Sequence, residues 1–191
     1  MRSIVAVSNG RAMAGSGLGQ RIDAFDDVVR FNNASLAGFE PDVGERTTIW
    51  VADDQGRHGS SFDCRRLWWT PNWRRPHVVT PTDWEVIPPD VEDAIRRETA
   101  MPSHQWPTTG LMGLVYLLRE CDVIHLAGWY RGDAACDAVA FMRHYDPTHH
   151  VERLQEPAPV NFAHALGLER LLVDRLIKQG RLIELEGPGH A

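Results

Sequence analysis

The sequence predicts an α/β protein built on one parallel sheet with helices on both of its faces. Three observations carry this. Short apolar runs recur along the 191 residues, and they are rich in β-branched residues. They read as continuous rather than alternating, which is the condition of a strand buried on both sides. Helical patterns fall between them, as the crossovers of a parallel sheet require.

The elements follow in order. "SIVAVS" (3–8) is a buried strand stopped by Asn9-Gly10. A glycine-rich loop, "AGSGLGQRID" (14–23), leads into a short helix over 19–24. "DVVRFN" (27–32) and "TTIWVA" (47–52) are the next two strands, and "RLWWT" (66–70) and "HVVT" (77–80) are shorter ones. "PDVEDAIRRET" (89–99) is a surface helix with proline in its first turn. "TTGLMGLVYLLRE" (108–120) is apolar nearly all round and is therefore a buried helix. The strand "DVIHLAG" (122–128) and a helix over 133–144 come next. "HALGLERLLVDRLIKQG" (164–180) is the clearest amphipathic helix, with Gly180 as its stop, and "RLIEL" (181–185) is a last strand.

The bulk properties exclude several classes. The length suits one domain over 1–191. A net charge of −6 argues against a nucleic-acid partner. No apolar run approaches the ~20 residues of a membrane span. The three cysteines, Cys64, Cys121 and Cys136, have no metal spacing, and an odd number without a leader points to a reducing cytoplasm. A chain trimmed of its leader would read the same.

In parallel sheets ligands bind beyond the C-terminal strand ends, so the loops after each strand are where chemistry is expected. The glycine loop suggests a phosphate cradle, but it fits no dinucleotide or Walker pattern. "NGRAMA" separates it from the strand, the second strand ends in Arg30, Phe31, Asn32, Asn33 without an acid, and no Walker lysine follows. Gly15, Gly17 and Gly19 either cradle an anion or only allow a tight turn and close helix packing. Asn9 and Asn32 each fall at a strand end, where an amide either closes an Asx turn or donates to a phosphoryl oxygen without adding charge. "PTTG" (107–110) opens the buried helix. Thr108 and Thr109 can cap the helix or touch a ligand, and Gly110 permits close approach to an anion-favouring N-terminus.

Of nine histidines, His125 reads as a satisfied core residue, His144 ends a helix near a loop, and His164 starts the amphipathic helix five positions before Glu169. A neutral imidazole at a helix N-terminus can accept a proton near neutrality, and the same position also suits a plain surface residue. "RRLWWTPNWRRP" (65–76) is either a sugar- or base-stacking surface or a hydrophobic edge with solvated charges. No metal spacing exists, and Asp26 and Asp27 precede their strand and so belong to the opposite edge.

Taken together, these segments resemble glycosyltransferase family 29, the animal-type sialyltransferases. Residues 4–48, with Asn9, "GSGLG", "VxRxN" and "GFExDVGxRTT", resemble that family's large sialyl motif. Residues 107–129 are similar to its small motif, "HYD" (144–146) to its third motif, and His164 with Glu169 to its His-x4-Glu motif. The resemblance implies a Rossmann-like GT-A variant fold, a CMP-sialic acid donor, no metal or other cofactor, and inversion at the anomeric carbon. It implies that Asn9 and Asn32 contact the donor phosphate and that Thr108, Thr109 and Gly110 contact the nucleotide. Gly128 and Trp129 would lie against the cytidine, His144 near the phosphate, and His164 would be the base. Ser16 and Glu169 would support the site, with Glu169 either orienting His164 or facing solvent.

The departures carry expectations too. The family's large-motif cysteine falls at Ile4, so Cys121 has no partner for the bridge between motifs, as suits a cytoplasmic, bacterial-type protein. In the third motif Asp146 is followed at once by Pro147, and Ser8 and Gly10 replace a family Gly and Ser. The segment 49–106 is short and is expected to face a glycan or glycolipid acceptor. The donor motifs suit CMP-Kdo as well, and a non-catalytic CMP-sugar-binding module is the remaining reading.

Overall fold

A computed structural model of the chain describes residues 2–54, 62–69, 81–129 and 166–186. The expected strand at 77–80, the helix at 133–144, and both His144 and His164 lie outside the described residues.

Seven parallel strands form one sheet. They are β1 (Ile4–Val7), β2 (Asp27–Phe31), β3 (Ile49–Ala52), β4 (Arg65–Trp68), β5 (Glu85–Val86), β6 (Ile124–Ala127) and β7 (Leu182–Glu184). Their order is β5-β4-β3-β2-β1-β6-β7. The chain thus runs outward from β1 to one edge and returns to build the other side from β6. The point where the order reverses lies between β1 and β6, and ligand crevices open at such points. All four residues of β1 and of β3, and all five of β2, are buried, which is why these runs carry no polar alternation.

The helices divide between the faces. The first core cluster joins Ile4, Ala6, Val29, Phe31, Ile49 and Val51 to α3 (Pro89–Thr99), α4 (Thr109–Leu117) and α5 (Leu166–Lys178). The second joins Val5, Val7 and Val28 to Ile22 of α1 (Gly19–Asp23) and Val43 of α2 (Glu40–Val43). Neighbouring residues of β1 serve opposite layers, as the two-residue strand period dictates. Farther along the sheet Trp50, Trp68 and Trp84 pack ring against ring with Phe62. Gly180, at φ 70°, ends the α5 segment in the left-handed region, as its position predicts.

Three elements carry no pattern the sequence reveals: α2, the two-residue β5, and a 3-10 turn at Arg11–Met13. Each is too short to show a period. α2 and the turn after it are placed by side chains from other segments. Arg30, on β2 and 1% exposed, donates from Nη2 to Val43 O (2.6 Å) and Gly44 O (3.1 Å). Its Nε reaches Arg46 O (3.0 Å) and Thr47 Oγ1 (3.1 Å). Asp23 accepts from the backbone of Glu45 and Arg46, while the Arg46 guanidinium returns to Asp23 O and Phe25 O, each at 2.6 Å.

The glycine loop is held in the same way. The Asp42 carboxylate of α2 accepts from Gly15 N (2.7 Å) and Gly17 N (2.8 Å), and Ser16 Oγ donates to Asp42 O (3.2 Å). Gly19 lets α1 run against α2, since a Cβ there would lie 2.1 Å from Glu40 O. The loop is an anion cradle, and its anion is a carboxylate of the same chain. Asp27, at the N-terminal end of β2, is buried and pairs with Arg2 at 2.6 Å, on the edge expected from its place before the strand.

Arg30→Lys keeps the charge but cannot reproduce a fork to four acceptors, and it should destabilise the fold by ~2 kcal/mol in urea unfolding. Asp42→Ala leaves two exposed N–H groups that water can reach, and it should cost only about 1 kcal/mol. A larger loss for Asp42→Ala than for Arg30→Lys would reverse this ranking of the two contacts.

Candidate functional site

The C-terminal strand ends bring most of the expected residues together. Asn9 follows β1, Asn32 follows β2, Asp53 follows β3, Gly128 and Trp129 follow β6, and Thr108 caps α4 beside them. Hydrogen bonds link them into one edge. Asn9 Nδ2 donates to Phe31 O at 2.7 Å. Asn32 adopts a left-handed φ of 49°, which an asparagine tolerates better than most residues. Its Oδ1 faces Asp53 N at 3.4 Å and its carbonyl accepts from Trp50 Nε1 at 2.8 Å. With the oxygen of its amide turned to the backbone, the Nδ2 group of Asn32 is the end left for a ligand.

α4 opens with a side-chain cap. Thr108 has extended φ/ψ, its hydroxyl accepts from Leu111 N at 3.2 Å, and its carbonyl accepts from Met112 N at 3.0 Å. The N–H groups of Thr109 and Gly110 have no acceptor within the helix, and they are the donors an anion would meet. Thr109 is buried, and its hydroxyl donates to Asp53 Oδ2 at 3.2 Å.

Gly110 has a second reason beside the one its sequence suggests. A Cβ there would lie 2.9 Å from Cη2 of Trp129, so the glycine makes room for an indole as well as exposing backbone. Trp129 is 7% exposed, donates from Nε1 to Ala6 O at 3.0 Å, and meets Phe31 edge to face at 5.5 Å. The indole is thus wedged between β1 and the first turn of α4. Gly128 sits at φ 72°, and its missing side chain leaves space that Met13 fills.

Glu169 corrects one expectation. It does not face solvent: it is 0% exposed. From α5 its carboxylate accepts from Thr108 N (2.8 Å) and Thr108 Oγ1 (2.7 Å). Burial pushes its pKa up to about 7, against the two Thr108 donors, which favour the charged form. Ser16 faces inward, bonded to Asp42 O and Leu18 N. His125 is half-buried against Phe25, and its Nδ1 has no hydrogen-bond partner, so it is not the satisfied core histidine the sequence suggests.

Two contributors escaped the sequence reading. Asp53 belongs to no motif, and its one signal is its place directly after β3, at the C-terminal edge of the sheet. Asp42 lies in a helix without a legible period. At the opposite edge a cavity of about 390 Å³ is lined by Ile4, Cys121 and the N-terminal ends of the strands. Cys121 is unbridged there, as the isoleucine at position 4 requires. No group of three or more metal-ligating side chains occurs among the described residues. No helix among them is long and apolar enough to cross a membrane.

The architecture is a parallel, Rossmann-like α/β sheet with a polar, helix-capped ligand edge. Residues 1–88 match the family model described as glycosyltransferase family 29 (sialyltransferase). The human CMP-N-acetylneuraminate-beta-galactosamide-alpha-2,3-sialyltransferase 4 is 25% identical over 224 residues, covering 96% of this chain and 64% of that protein. A zebrafish beta-galactoside alpha-2,6-sialyltransferase 2 is 24% identical, covering 92% of this chain and 40% of its own length. The crystal structure of a mammalian sialyltransferase with Gal-beta-1-3GalNAc-ortho-nitrophenol superposes with a TM-score of 0.70 at 20% identity, over 98% of this chain and 70% of that one. The fold is that of the sialyltransferases, and the likeness to glycosyltransferase family 29 lies in residues 1–88. It spans somewhat less than two thirds of the length of the human relative, 64%.

Gly110→Ala should force the Trp129 indole from its wedge and cost ~1–3 kcal/mol in thermal or urea unfolding. Gly167→Ala in α5, where a Cβ meets nothing within 4 Å, should be neutral or stabilise by up to about 1 kcal/mol. Equal effects would remove the wedge as the reason for Gly110.

The Glu169 carboxyl sets a pH dependence. Its folded pKa of about 7 lies above the ordinary 4.5, so the folded state holds this proton more tightly than the unfolded one. Its contribution to stability is full below 4.5 and falls as pH rises to about 7, by about 3 kcal/mol in all. Unfolding free energies of wild type and Glu169→Gln, compared from pH 4.5 to 8, should diverge by that amount in favour of Gln; parallel curves would refute the assignment.

Proposed function

We propose that this chain transfers a sialic-acid-type sugar from a CMP-linked donor to a hydroxyl of a glycan or glycolipid, with inversion and without a metal ion. The observation that carries the reading is the convergence of Asn9, Asn32, Thr108–Gly110 and Trp129 on one strand edge. These are the positions at which the sequence resembles the family's sialyl motifs. The human relative is by name a transferase acting with CMP-N-acetylneuraminate, which favours a sialic acid over Kdo as the donor sugar.

In this reading the donor phosphate lies at the N-terminus of α4, with the N–H groups of Thr109 and Gly110 and the amides of Asn9 and Asn32 around it. Neutral donors and a helix dipole stabilise a phosphate without contributing a full charge. Asn9 has one amide hydrogen engaged by Phe31 O and the other free for a phosphoryl oxygen. Trp129 forms the wall beside the cytidine. The acceptor oxygen attacks the anomeric carbon from the face opposite the phosphate, and its proton passes to His164. The bond to the phosphate oxygen breaks, and CMP leaves with the electron pair. The resemblance gives His144 a role at that phosphate and the segment 49–106 a role toward the acceptor. Ile4 facing an unbridged Cys121 supports a reducing compartment, such as a cytoplasm, as the place of work.

The test has two parts. In a thermal-shift comparison of CMP, UDP, GDP and NAD, only CMP should raise the melting temperature; saturation at 100 times Kd is worth ~2.7 kcal/mol. His164→Ala should then lower transfer by ~10²–10⁴-fold while CMP still binds. Stabilisation by NAD and not by CMP would overturn the donor, and full transfer by His164→Ala would overturn the base. Chelator should leave the rate unchanged.

A further inference from the structure

Glu169 is a fully buried carboxyl group whose partner is the cap of the helix that faces the donor. It accepts the Thr108 N–H at 2.8 Å and the Thr108 hydroxyl at 2.7 Å. The same threonine starts α4, and the next two residues present the N–H groups assigned above to the phosphate. Two anions would therefore meet on either side of one helix start, with no water around the inner one.

The neighbouring charges do not relieve this. α4 carries a single ionisable side chain, Tyr116, near its other end. On α3, Glu92 is tied to Arg96 at 2.6 Å, and Glu98 to Arg175 of α5 at 2.6 Å. Arg170 and Asp174 of α5 lie 3.9 Å apart, and Asp53 after β3 adds a further acceptor beside Thr109. The causes that shift Glu169 are burial and the Thr108 donors, and no cation appears among them.

We propose that donor binding is coupled to proton uptake at Glu169: when the CMP phosphate settles at the N-terminus of α4, the Glu169 carboxylate takes one proton from solvent. This rests on the donor reading above. Protonated, the carboxyl still accepts from Thr108 N, and it offers its own O–H to the Thr108 oxygen, so the cap keeps its place while the inner charge is gone. Glu169 is thus a positioning residue that sets the charge state of the donor site from behind. Because burial already places its pKa at about 7, the coupling falls in the physiological range.

The measurement is isothermal titration of CMP into the full chain from pH 6 to 9. Each pH is run in two buffers of different ionisation enthalpy, which gives the number of protons bound. At pH 8 the CMP phosphate is itself fully ionised. There the wild type should take up ~0.5 proton or more, and Glu169→Gln at least ~0.5 fewer. Cytidine, which lacks the phosphate, should bind without uptake. Above pH 7 the wild-type Kd should weaken by up to tenfold per unit, and that of Glu169→Gln by less. Equal proton numbers in the two proteins overturn the proposal. Should Glu169→Gln fail to fold, the wild-type series decides: no difference between CMP and cytidine at pH 8 overturns it. A chain that binds no CMP at any pH overturns the donor reading itself, and this proposal with it.

Discussion

The guanidinium of Arg30 is the constraint on which the first half of the molecule depends. It is buried on a central strand, where its charge must be met by hydrogen bonds. The backbone carbonyls of Val43, Gly44 and Arg46 supply them, and only a tight turn after α2 brings all three within reach. That turn aims α2 so that Asp42 meets the amides of Gly15 and Gly17. The stretch 4–48 that resembles the large sialyl motif looks arbitrary as a string. In space it is one closed set of polar contacts, each residue satisfying another that burial would leave unpaired.

This arrangement accounts for two amides of the glycine loop. A loop with φ of 74° at Gly15 and 62° at Gly17 has the shape of a phosphate cradle, yet its donors are already spent on a side chain. The loop gives shape to the edge, and the helix start at Thr108–Gly110 keeps backbone N–H groups without an acceptor in the helix. A cap that is itself held by a carboxylate from α5 makes that helix start stiff, and the indole of Trp129 stiffens it from the other side. For the proposed transfer stiffness matters, because donors fixed in advance need no reorganisation when charge develops on a leaving phosphate.

β1, β2 and β3 were legible because they are buried on both faces, so their apolar runs needed no partner to be recognised. The surface helix over 89–99 was legible for its proline start and the last helix for its glycine stop. Asn9, Asn32 and Thr108 could be placed at one edge because the ends of their strands and the start of their helix are marked in the sequence. The rest was hidden by separation along the chain. The Asp42 contacts reach back 27 and 25 residues, the Glu169 contacts 61, and nothing local in "HALGLER" shows that its acid turns inward. Gly110 was expected to admit a ligand; its crowding neighbour lies on another element altogether.

The indole hydrogen bond from Trp129 to Ala6 spans 123 residues. Closing so long a loop is slow compared with pairing β1, β2 and β3, which lie within the first third of the chain. During synthesis the Arg30 turn can therefore assemble while later segments are still being made. The crevice at the C-terminal strand ends, by contrast, has no back wall until β6 docks beside β1. Order of assembly is thus written into the strand order: the scaffold matures early, and the pocket is completed last.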